Sequence, residues 1–256
     1  MKILLLGVGM QGKAALQHLA TSPEVTQVIA ADANFTGLKT YVNELKSDKI
    51  TPVELDVRDE NAVAAQMKKV DAVIVLLPQG FRVQILKLAI ENGIHFVETS
   101  YALPEYTELG ALAAQKDITI LPECGLDPGI DLVLAGQAIR DLDEVHELHA
   151  YGTGVPEPEA AGNPIHYKLS WTFAGVLSAY QRPVKMLKDG QVVHLTPSQM
   201  FSSENMHSVD LDTIGEMEAY YNGDAVKYLD IFGIKETTVS TGRYSLRYPG
   251  HAAFWK

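Results

Sequence analysis

The chain has 256 residues, a formal net charge of −11 and one cysteine. Its negative charge repels nucleic acid and anionic membrane surfaces, one cysteine excludes an internal disulfide framework, and no apolar run is long enough to cross a bilayer. We therefore expect a cytoplasmic protein with a small-molecule ligand, no nucleic-acid or membrane partner, and one large domain or two ordinary ones.

Residues 2–32 are predicted to form a unit that binds a dinucleotide. An apolar strand is followed by three spaced glycines, an amphipathic helix, a second apolar strand and Asp32, which lies 20 residues after Gly12. Such glycines permit a tight turn, close approach of backbone amides to phosphate, and helix packing on the strand, while the acid accepts from ribose hydroxyls. The predicted contacts are Gly7, Gly9, Met10, Gln11, Gly12 and Asp32.

Three glycines at this spacing also occur in turns that serve packing alone and in methyltransferases that bind another nucleoside. The strand before them, the helix after them and the acid at residue 32 favour a nicotinamide dinucleotide. Because a carboxylate repels a 2′-phosphate and accepts from a 2′-hydroxyl, we expect NAD as the cofactor, with NADP possible.

The alternation of strands and helices continues to about residue 121. Strands are predicted at 51–56, 71–77, 94–98 and 118–121, and helices at 61–68, 81–92 and 105–115. Six strands alternating with helices indicate an α/β fold, a Rossmann-type doubly wound parallel sheet covered on both faces. Ligands bind at the carboxyl ends of the strands in such sheets. The ends beyond Asp32 are Asp56, Leu77-Pro78, residues 99–101 and residues 123–125.

After about residue 129 the pattern changes to a second, α+β domain. We predict a helix at 130–140, a strand at 145–151, a loop at 152–164, a helix at 170–180, and a hairpin around Asp189-Gly190. The predicted domains are therefore 1–128, which binds the dinucleotide, and 129–256, which closes over the nicotinamide end and supplies the substrate pocket.

Three motifs resemble the saccharopine dehydrogenase family. They are Glu-Cys-Gly-Leu-Asp-Pro-Gly-Ile-Asp at 123–131, Asn-Pro-Ile-His-Tyr-Lys-Leu-Ser-Trp at 163–171 and Ser-Leu-Arg-Tyr-Pro-Gly-His at 245–251, and the match runs in order over essentially the whole chain. The resemblance implies an NAD(P)-dependent dehydrogenase that moves a hydride between nicotinamide and a C–N carbon of a lysine-derived amino acid, as saccharopine dehydrogenase and lysine 6-dehydrogenase do. It also implies a homodimer.

The resemblance further implies which residues meet the ligands. Cofactor contacts fall on residues 9–12, Asp32, Asp56, Leu77 and Pro78. Substrate contacts fall on Ser100, Tyr101, Asp127, Trp171, which helps to close the site, and Arg247.

The chain departs from the family pattern in two places. Where saccharopine-processing relatives have Asn-Arg-Asp, whose arginine pairs with a substrate carboxylate, this chain has Asn222-Gly223-Asp224. The loss of that anchor weakens saccharopine as the substrate and leaves lysine or a related amino acid open. The family pattern also continues past residue 251 with a helix, so we expect a chain shortened at its C-terminal end.

The predicted catalytic residues are Asp127, Tyr101 and Lys168. Asp127 would hold the substrate ammonium, with a turn residue before Pro128 as the alternative. Tyr101 would hydrogen-bond the reacting nitrogen or its carboxylate, with a half-buried aromatic as the alternative. Lys168, beside His166 and Tyr167, offers proton transfer, since a desolvated lysine can titrate near neutrality.

Further residues are candidates for binding a carboxylate or a metal ion. Arg247 could bind an α-carboxylate through its planar fork, with Arg243 as its competitor. His146 and His149 lie three apart in a predicted strand and so point to opposite faces, so we expect no metal site. We expect Cys124 to be a small packed residue.

Two other functions fit the same pattern. One is a transferase like homospermidine synthase, which keeps NAD bound and returns the hydride within each cycle. The other is a non-catalytic sensor that binds the dinucleotide and reports redox state.

Overall fold

The computed structural model describes residues 1–169 and 173–256, and the chain forms two compact units, Met1–Ile130 and Asp131–Lys256. The elements of the first unit are β1 (Lys2–Leu6), α1 (Met10–Thr21), β2 (Gln27–Asp32), α2 (Phe35–Leu45), β3 (Ile50–Glu54), α3 (Glu60–Met67), β4 (Ala72–Val75), α4 (Arg82–Asn92), β5 (His95–Glu98), α5 (Glu105–Gln115) and β6 (Ile120–Leu121).

The first unit is built on one parallel sheet with the strand order β3-β2-β1-β4-β5-β6. This order is that of doubly wound dinucleotide-binding folds, so the predicted fold class is confirmed. Successive residues of β1 point to opposite faces of the sheet, and both sets are buried: Leu4 and Leu6 in one cluster, Ile3 and Leu5 in another. Apolar packing on both faces explains why β1 is a continuous apolar run.

Helix α2 was not predicted from the sequence. It begins after Asn34, whose side-chain oxygen accepts a hydrogen bond from the Gly37 backbone amide at 3.1 Å. Its inner face buries Leu38 and Val42 against the first unit's core. The signal was therefore present as an N-cap residue followed by apolar residues at helical spacing.

The second unit is α+β. Its elements are α6 (Ile130–Arg140), β7 (Glu147–Gly152), α7 (Phe173–Tyr180), β8 (Val184–Lys188), β9 (Gln191–Leu195), β10 (Met206–Leu211), β11 (Gly215–Tyr221), α8 (Lys227–Phe232), β12 (Ser240–Arg247) and α9 (His251–Trp255). The predicted helix at 170–180 is described from Phe173 onward.

The second sheet is mixed and has β12 at its centre. Along the order β10-β11-β12-β8-β9 the strands are antiparallel, and β7 pairs with β12 in parallel. The predicted hairpin is present as β8 and β9, with Asp189 and Gly190 both at positive φ in the turn. The strands β10, β11 and β12 were not predicted. Across the parts of the chain that the structure describes, none of the helices combines the length and apolar character needed to span a bilayer.

Candidate active site

The turn between β1 and α1 has the shape of a phosphate-binding loop. Gly7 has φ +89°, and a Cβ there would lie 2.4 Å from the Leu76 carbonyl oxygen. A Cβ on Gly12 would lie 2.2 Å from the Gly7 carbonyl oxygen. Both positions therefore exclude any side chain, because the backbone approaches too closely.

Gly9, Met10 and Gln11 form the exposed start of α1. A Cβ on Gly9 would meet nothing within 4 Å. Unlike Gly7 and Gly12, Gly9 is therefore not required by close packing against the protein backbone, and it leaves open space beside the start of the helix. The helix has no side-chain N-cap and no acidic residue in its first turn. Its uncapped amides and positive dipole end are the features that bind phosphate.

Asp32 ends β2 beside this loop. One carboxylate oxygen accepts from the Val8 amide and the other from the Asn34 amide, both at 2.7 Å. These bonds hold the carboxylate at the edge of the glycine loop. Each oxygen retains a second lone pair, which suits it to accept from a ribose hydroxyl.

Three more predicted cofactor contacts follow β3 and β4. Asp56 binds the Arg58 guanidinium through both carboxylate oxygens, and this hydrogen-bonded partner lowers the pKa of Asp56 to about 2. Leu77 is half-buried with its side chain near Gly7, and Pro78 is exposed. These residues follow the carboxyl ends of β3 and β4, which lie on either side of the β2-β1 pair in the sheet.

The structure brings together two of the residues predicted to meet the substrate. The Tyr101 hydroxyl donates a hydrogen bond to Asp127 Oδ1 at 2.7 Å, although the two residues come from different loops. Asp127 is exposed, and Tyr101 and Ser100 are half-buried. The Ser100 carbonyl accepts from the Glu123 amide at 3.1 Å, which ties the loop after β5 to the loop after β6.

A buried ion pair beneath Tyr101 was missed by the sequence analysis. Arg82 and Glu98 are 3% and 1% exposed and are joined by two hydrogen bonds. Burial by itself would lower the pKa of Arg82, but the hydrogen bonds to Glu98 outweigh burial, so the pKa of Arg82 is raised. The Tyr106 hydroxyl also donates to Glu98, at 2.6 Å, and burial followed by that bond raises the pKa of Tyr106. The available signal was a glutamate ending the apolar run 94–98.

In the second unit, residues 163–167 meet the motif at 245–251. The Asn163 side chain bonds the backbone of Ile165 and Tyr167 and so shapes its loop. The Arg247 guanidinium stacks over the buried Tyr167 ring at 4.5 Å, and the Tyr167 ring also packs edge-on against His251.

Arg247 and its competitor Arg243 have different surroundings. Arg243 donates to Asp131 at 2.8 Å and stacks over the Tyr228 ring. Arg247 donates to its neighbouring carbonyl of Leu246, and its Nε is buried without a hydrogen-bond partner among the described residues. An orphaned guanidinium nitrogen suits Arg247 better than Arg243 for an incoming carboxylate.

His251 is fully buried in this cluster. Its Nδ1 lies 2.6 Å from the Ile165 carbonyl oxygen and must donate, so Nε2 accepts from the Tyr180 hydroxyl at 2.8 Å. Burial lowers the pKa of His251 to about 4. The ring is therefore a neutral, oriented support for the loop.

The remaining predicted residues are placed as follows. Lys168 is exposed, and its side chain makes no hydrogen bond or ion pair with residues 1–169 or 173–256. Trp171 lies outside the described residues. Cys124 is exposed, so the expected packing of this residue was wrong: it lies in a surface loop, where partial desolvation raises its thiol pKa.

The two histidines considered as metal ligands, near β7, contact other protein side chains. His149 bonds the hydroxyls of Ser240 and Tyr244, and His146 is exposed beside Glu144. Within the described ranges, no group of three or more His, Cys, Asp or Glu side chains is arranged to hold a metal ion.

Comparison with protein families gives two adjoining matches. Residues 3–121 match the model described as "Saccharopine dehydrogenase NADP binding domain", and residues 125–256 match "Saccharopine dehydrogenase C-terminal domain".

Individual relatives give the same result. The chain is 35% identical to a saccharopine dehydrogenase (NADP(+), L-glutamate-forming) from Pyricularia oryzae, over 99% of this chain and 56% of that protein. It is 34% identical to an alpha-aminoadipic semialdehyde synthase from Arabidopsis thaliana, over 97% of this chain and 25% of that protein. The apo structure of the L-Glu-forming saccharopine dehydrogenase from Saccharomyces cerevisiae matches with a TM-score of 0.87 and 28% identity, over 98% of this chain and 56% of that one. The chain thus spans about half the length of these dehydrogenases.

Proposed function

Because this chain belongs to the saccharopine dehydrogenase family, we propose that it is an NAD(P)-dependent oxidoreductase acting on the C–N bond of a lysine-derived amino acid. The observation that carries the proposal is the hydrogen bond of 2.7 Å between Tyr101 and Asp127, at the carboxyl-end loops of the sheet that holds the glycine loop. Ligands of doubly wound sheets bind at this edge.

The residues of the first unit fit a dinucleotide. The open space at Gly9, the uncapped start of α1 and the oriented Asp32 carboxylate are complementary to a pyrophosphate and a ribose. Met10 and Gln11 would hold the pyrophosphate, and Asp56, Leu77 and Pro78 would line the same edge. When bound, the nicotinamide supplies the hydride acceptor or donor.

The protein's own residues would handle the substrate and its proton. Asp127 would bind the substrate ammonium and take a proton at its carboxylate when the amine carbon is oxidised. The Tyr101 hydroxyl, already hydrogen-bonded to that carboxylate, would orient it and exchange a proton with the reacting nitrogen. Water then adds to the C=N carbon, and hydrolysis releases the carbonyl product and the amine.

The remaining predicted residues have the following proposed roles. Arg247 would bind a substrate carboxylate, which its orphaned buried Nε supports. The roles of Ser100 in substrate binding and Trp171 in closing the site rest on the resemblance alone. Lys168, as a proton-transfer residue, rests on its residue type and position in the sequence.

The second unit also bears on the substrate class. At the Asn-Gly-Asp segment, Gly223 has φ +71° and Asp224 accepts from the Val226 and Lys227 amides, so the segment is a tight turn with glycine where the saccharopine-processing relatives have arginine. The Lys185 ammonium lies 3.9 Å from the Asp224 carboxylate and is paired with it. A substrate with fewer carboxylates than saccharopine, such as lysine, therefore suits this chain better than saccharopine itself.

The test is nicotinamide absorbance during incubation of the protein with NAD or NADP and, separately, lysine, saccharopine and a polyamine. We expect reduction with an amino acid. The variants D127N and Y101F should lower kcat by about 10²- to 10⁴-fold, as loss of a general acid–base group does. The exposed-site variant D143N is the matched control.

The two alternatives predict other results. A transferase that retains its NAD would convert a polyamine without net change in absorbance. A sensor would bind the dinucleotide tightly, turn over no substrate, and keep partner binding in D127N and Y101F. Either outcome would overturn the proposed dehydrogenase activity.

We further propose that NAD is preferred over NADP, although the family model that matches residues 3–121 and the relative from Pyricularia oryzae are named for NADP. Residues 32–38 contain no lysine or arginine, the next basic residue being Lys39, and in the basic residue after β3, Arg58, the Nε and Nη2 edge of the guanidinium is bound by the two carboxylate oxygens of Asp56. A 2′-phosphate would thus face the Asp32 carboxylate with no uncommitted cation from these two segments.

The cofactor preference is tested by measuring Kd for NADH and NADPH in the wild type and in D32N. Removing the carboxylate's charge should weaken NADH binding and relieve repulsion of NADPH, so the preference should shift toward NADPH by about 10-fold or more. Tighter NADPH binding by the wild type would contradict the preference.

A homodimer and a cytosolic location complete the proposal. They rest on the resemblance, the single cysteine and the negative charge. Sedimentation of the purified protein tests the dimer.

A further inference from the structure

The buried pair of Arg82 and Glu98 is connected to the proposed site through the backbone. Arg82 is the first residue of α4 and Glu98 the last of β5. Besides its two bonds to Glu98, the Arg82 guanidinium donates to the Tyr101 carbonyl oxygen at 2.6 Å. One buried cation therefore holds both the end of β5 and the peptide that carries Tyr101.

A second set of bonds holds the same loop from the side of Asp127. The Glu123 carboxylate accepts from the Ala102 amide at 3.0 Å, and the Cys124 amide donates to the Glu98 carbonyl at 2.9 Å. The loop at 99–102 is thus bound by Arg82 on one side and by residues 123–124 on the other. The Tyr101 hydroxyl meets Asp127 where these two loops lie together.

Stability alone is a poor explanation for this ion pair. Desolvating two charges costs about as much as their attraction returns, and apolar residues of similar volume often stabilise a protein equally well. An apolar pair could not donate to the Tyr101 carbonyl. The planar fork of arginine can bind a carboxylate and a carbonyl at once, which the point charge of a lysine does less well.

We propose that Arg82, supported by Glu98 and Tyr106, is a positioning residue that fixes the Tyr101 peptide so that its phenol meets Asp127. The role in turnover rests on the proposed function, whereas the effect on loop geometry does not. Arg82 itself contacts no reacting atom in this scheme. Its loss should therefore misplace Tyr101 while the glycine loop and dinucleotide binding stay intact.

The principal variant is R82K, which keeps a buried positive charge beside Glu98 but lacks the second arm of the fork. We expect kcat for amine oxidation to fall by about 10- to 100-fold, the range that a displacement of about 1 Å can cause, with the NADH Kd changed less than about twofold. The matched control is R182K at an exposed arginine, which should change neither quantity.

A second pair of variants keeps the test valid if R82K fails to fold. E123A removes the acceptor of the Ala102 amide and should lower kcat in the same way. E123Q keeps a side-chain oxygen that can accept from the Ala102 amide, so it should retain most of the wild-type kcat. If the negative charge of Glu123 were what mattered, E123Q would be as impaired as E123A.

A readout without turnover separates this inference from the proposed function. Cys124 is the only cysteine and is exposed in the tethered loop. Loosening that loop should increase solvation of the thiol and raise its rate of reaction with a disulfide reagent severalfold in R82K and E123A.

If no amine is oxidised by the wild type, the dehydrogenase proposal fails, and faster thiol reaction alone still supports positioning by Arg82. Unchanged thiol rates, or unchanged kcat in an active enzyme, would overturn it.

Discussion

Gly9 and Gly12 stand in one motif, yet the structure requires them for different reasons. A side chain on Gly12 would collide with the Gly7 carbonyl, whereas a side chain on Gly9 would enter open space. Gly12 is therefore needed for the fold of the loop, and Gly9 is open toward the proposed phosphate position.

This difference predicts opposite results for two alanine variants. G12A should destabilise the protein by about 1–3 kcal/mol, as overpacking does, and lower its urea midpoint. G9A should leave the urea midpoint unchanged while weakening NADH binding by about 10-fold, because the methyl group occupies the space for phosphate. Equal NADH affinity in G9A and the wild type would contradict the proposed position of the pyrophosphate.

Helix α2 illustrates how one residue starts an element. The Asn34 side chain satisfies the Gly37 amide, while the Asn34 backbone amide donates to Asp32. The same residue thus begins the helix and helps to hold the carboxylate proposed to bind ribose.

The Asn34 cap should make a measurable contribution to the free energy of unfolding. N34A should cost about 1 kcal/mol of unfolding free energy, measured by urea denaturation, since it removes the side-chain acceptor and keeps the backbone bond to Asp32. N34D retains an acceptor and should remain near wild-type stability. A loss as large in N34D as in N34A would show that capping is not the cause.

For the whole molecule, a buried neutral histidine links stability to pH. The folded pKa of His251 is about 4, below the 6.5 of an exposed histidine, so the unfolded chain binds the extra proton between these values. Stability therefore falls as pH drops from about 6.5 toward 4 and is retained above that window. Burial also lowers the pKa of His207, which acts in the same direction.

Urea unfolding at pH 7.5, 6 and 4.5 tests this linkage. We expect a loss of up to about 3 kcal/mol over that range, since each pKa unit corresponds to about 1.4 kcal/mol. An unfolding free energy that does not change between pH 6.5 and 4.5 would contradict the burial of a neutral His251.

Sequence reasoning worked best where a local pattern has one structural meaning. The apolar runs, the glycine spacing and Asp32 predicted the parallel sheet, and the Asp189-Gly190 turn predicted a hairpin, because strand burial and turn conformation depend on near neighbours. Strands β10 and β11 form a hairpin joined by residues 212–214, so a local signal for them was present and was missed, whereas β12 gains its partner β7 from a distant part of the chain.

The family, the fold class of the first unit and the loop that suits a dinucleotide follow from the order and spacing of residues along the chain. Three findings required the three-dimensional fold: Tyr101 bonds Asp127, Arg82 and Glu98 lie buried beneath them, and Arg243 is paired while the Nε of Arg247 has no hydrogen-bond partner within the described part of the chain. Those contacts join residues far apart in sequence. Their partners are chosen by how strands and loops pack, which no local pattern encodes.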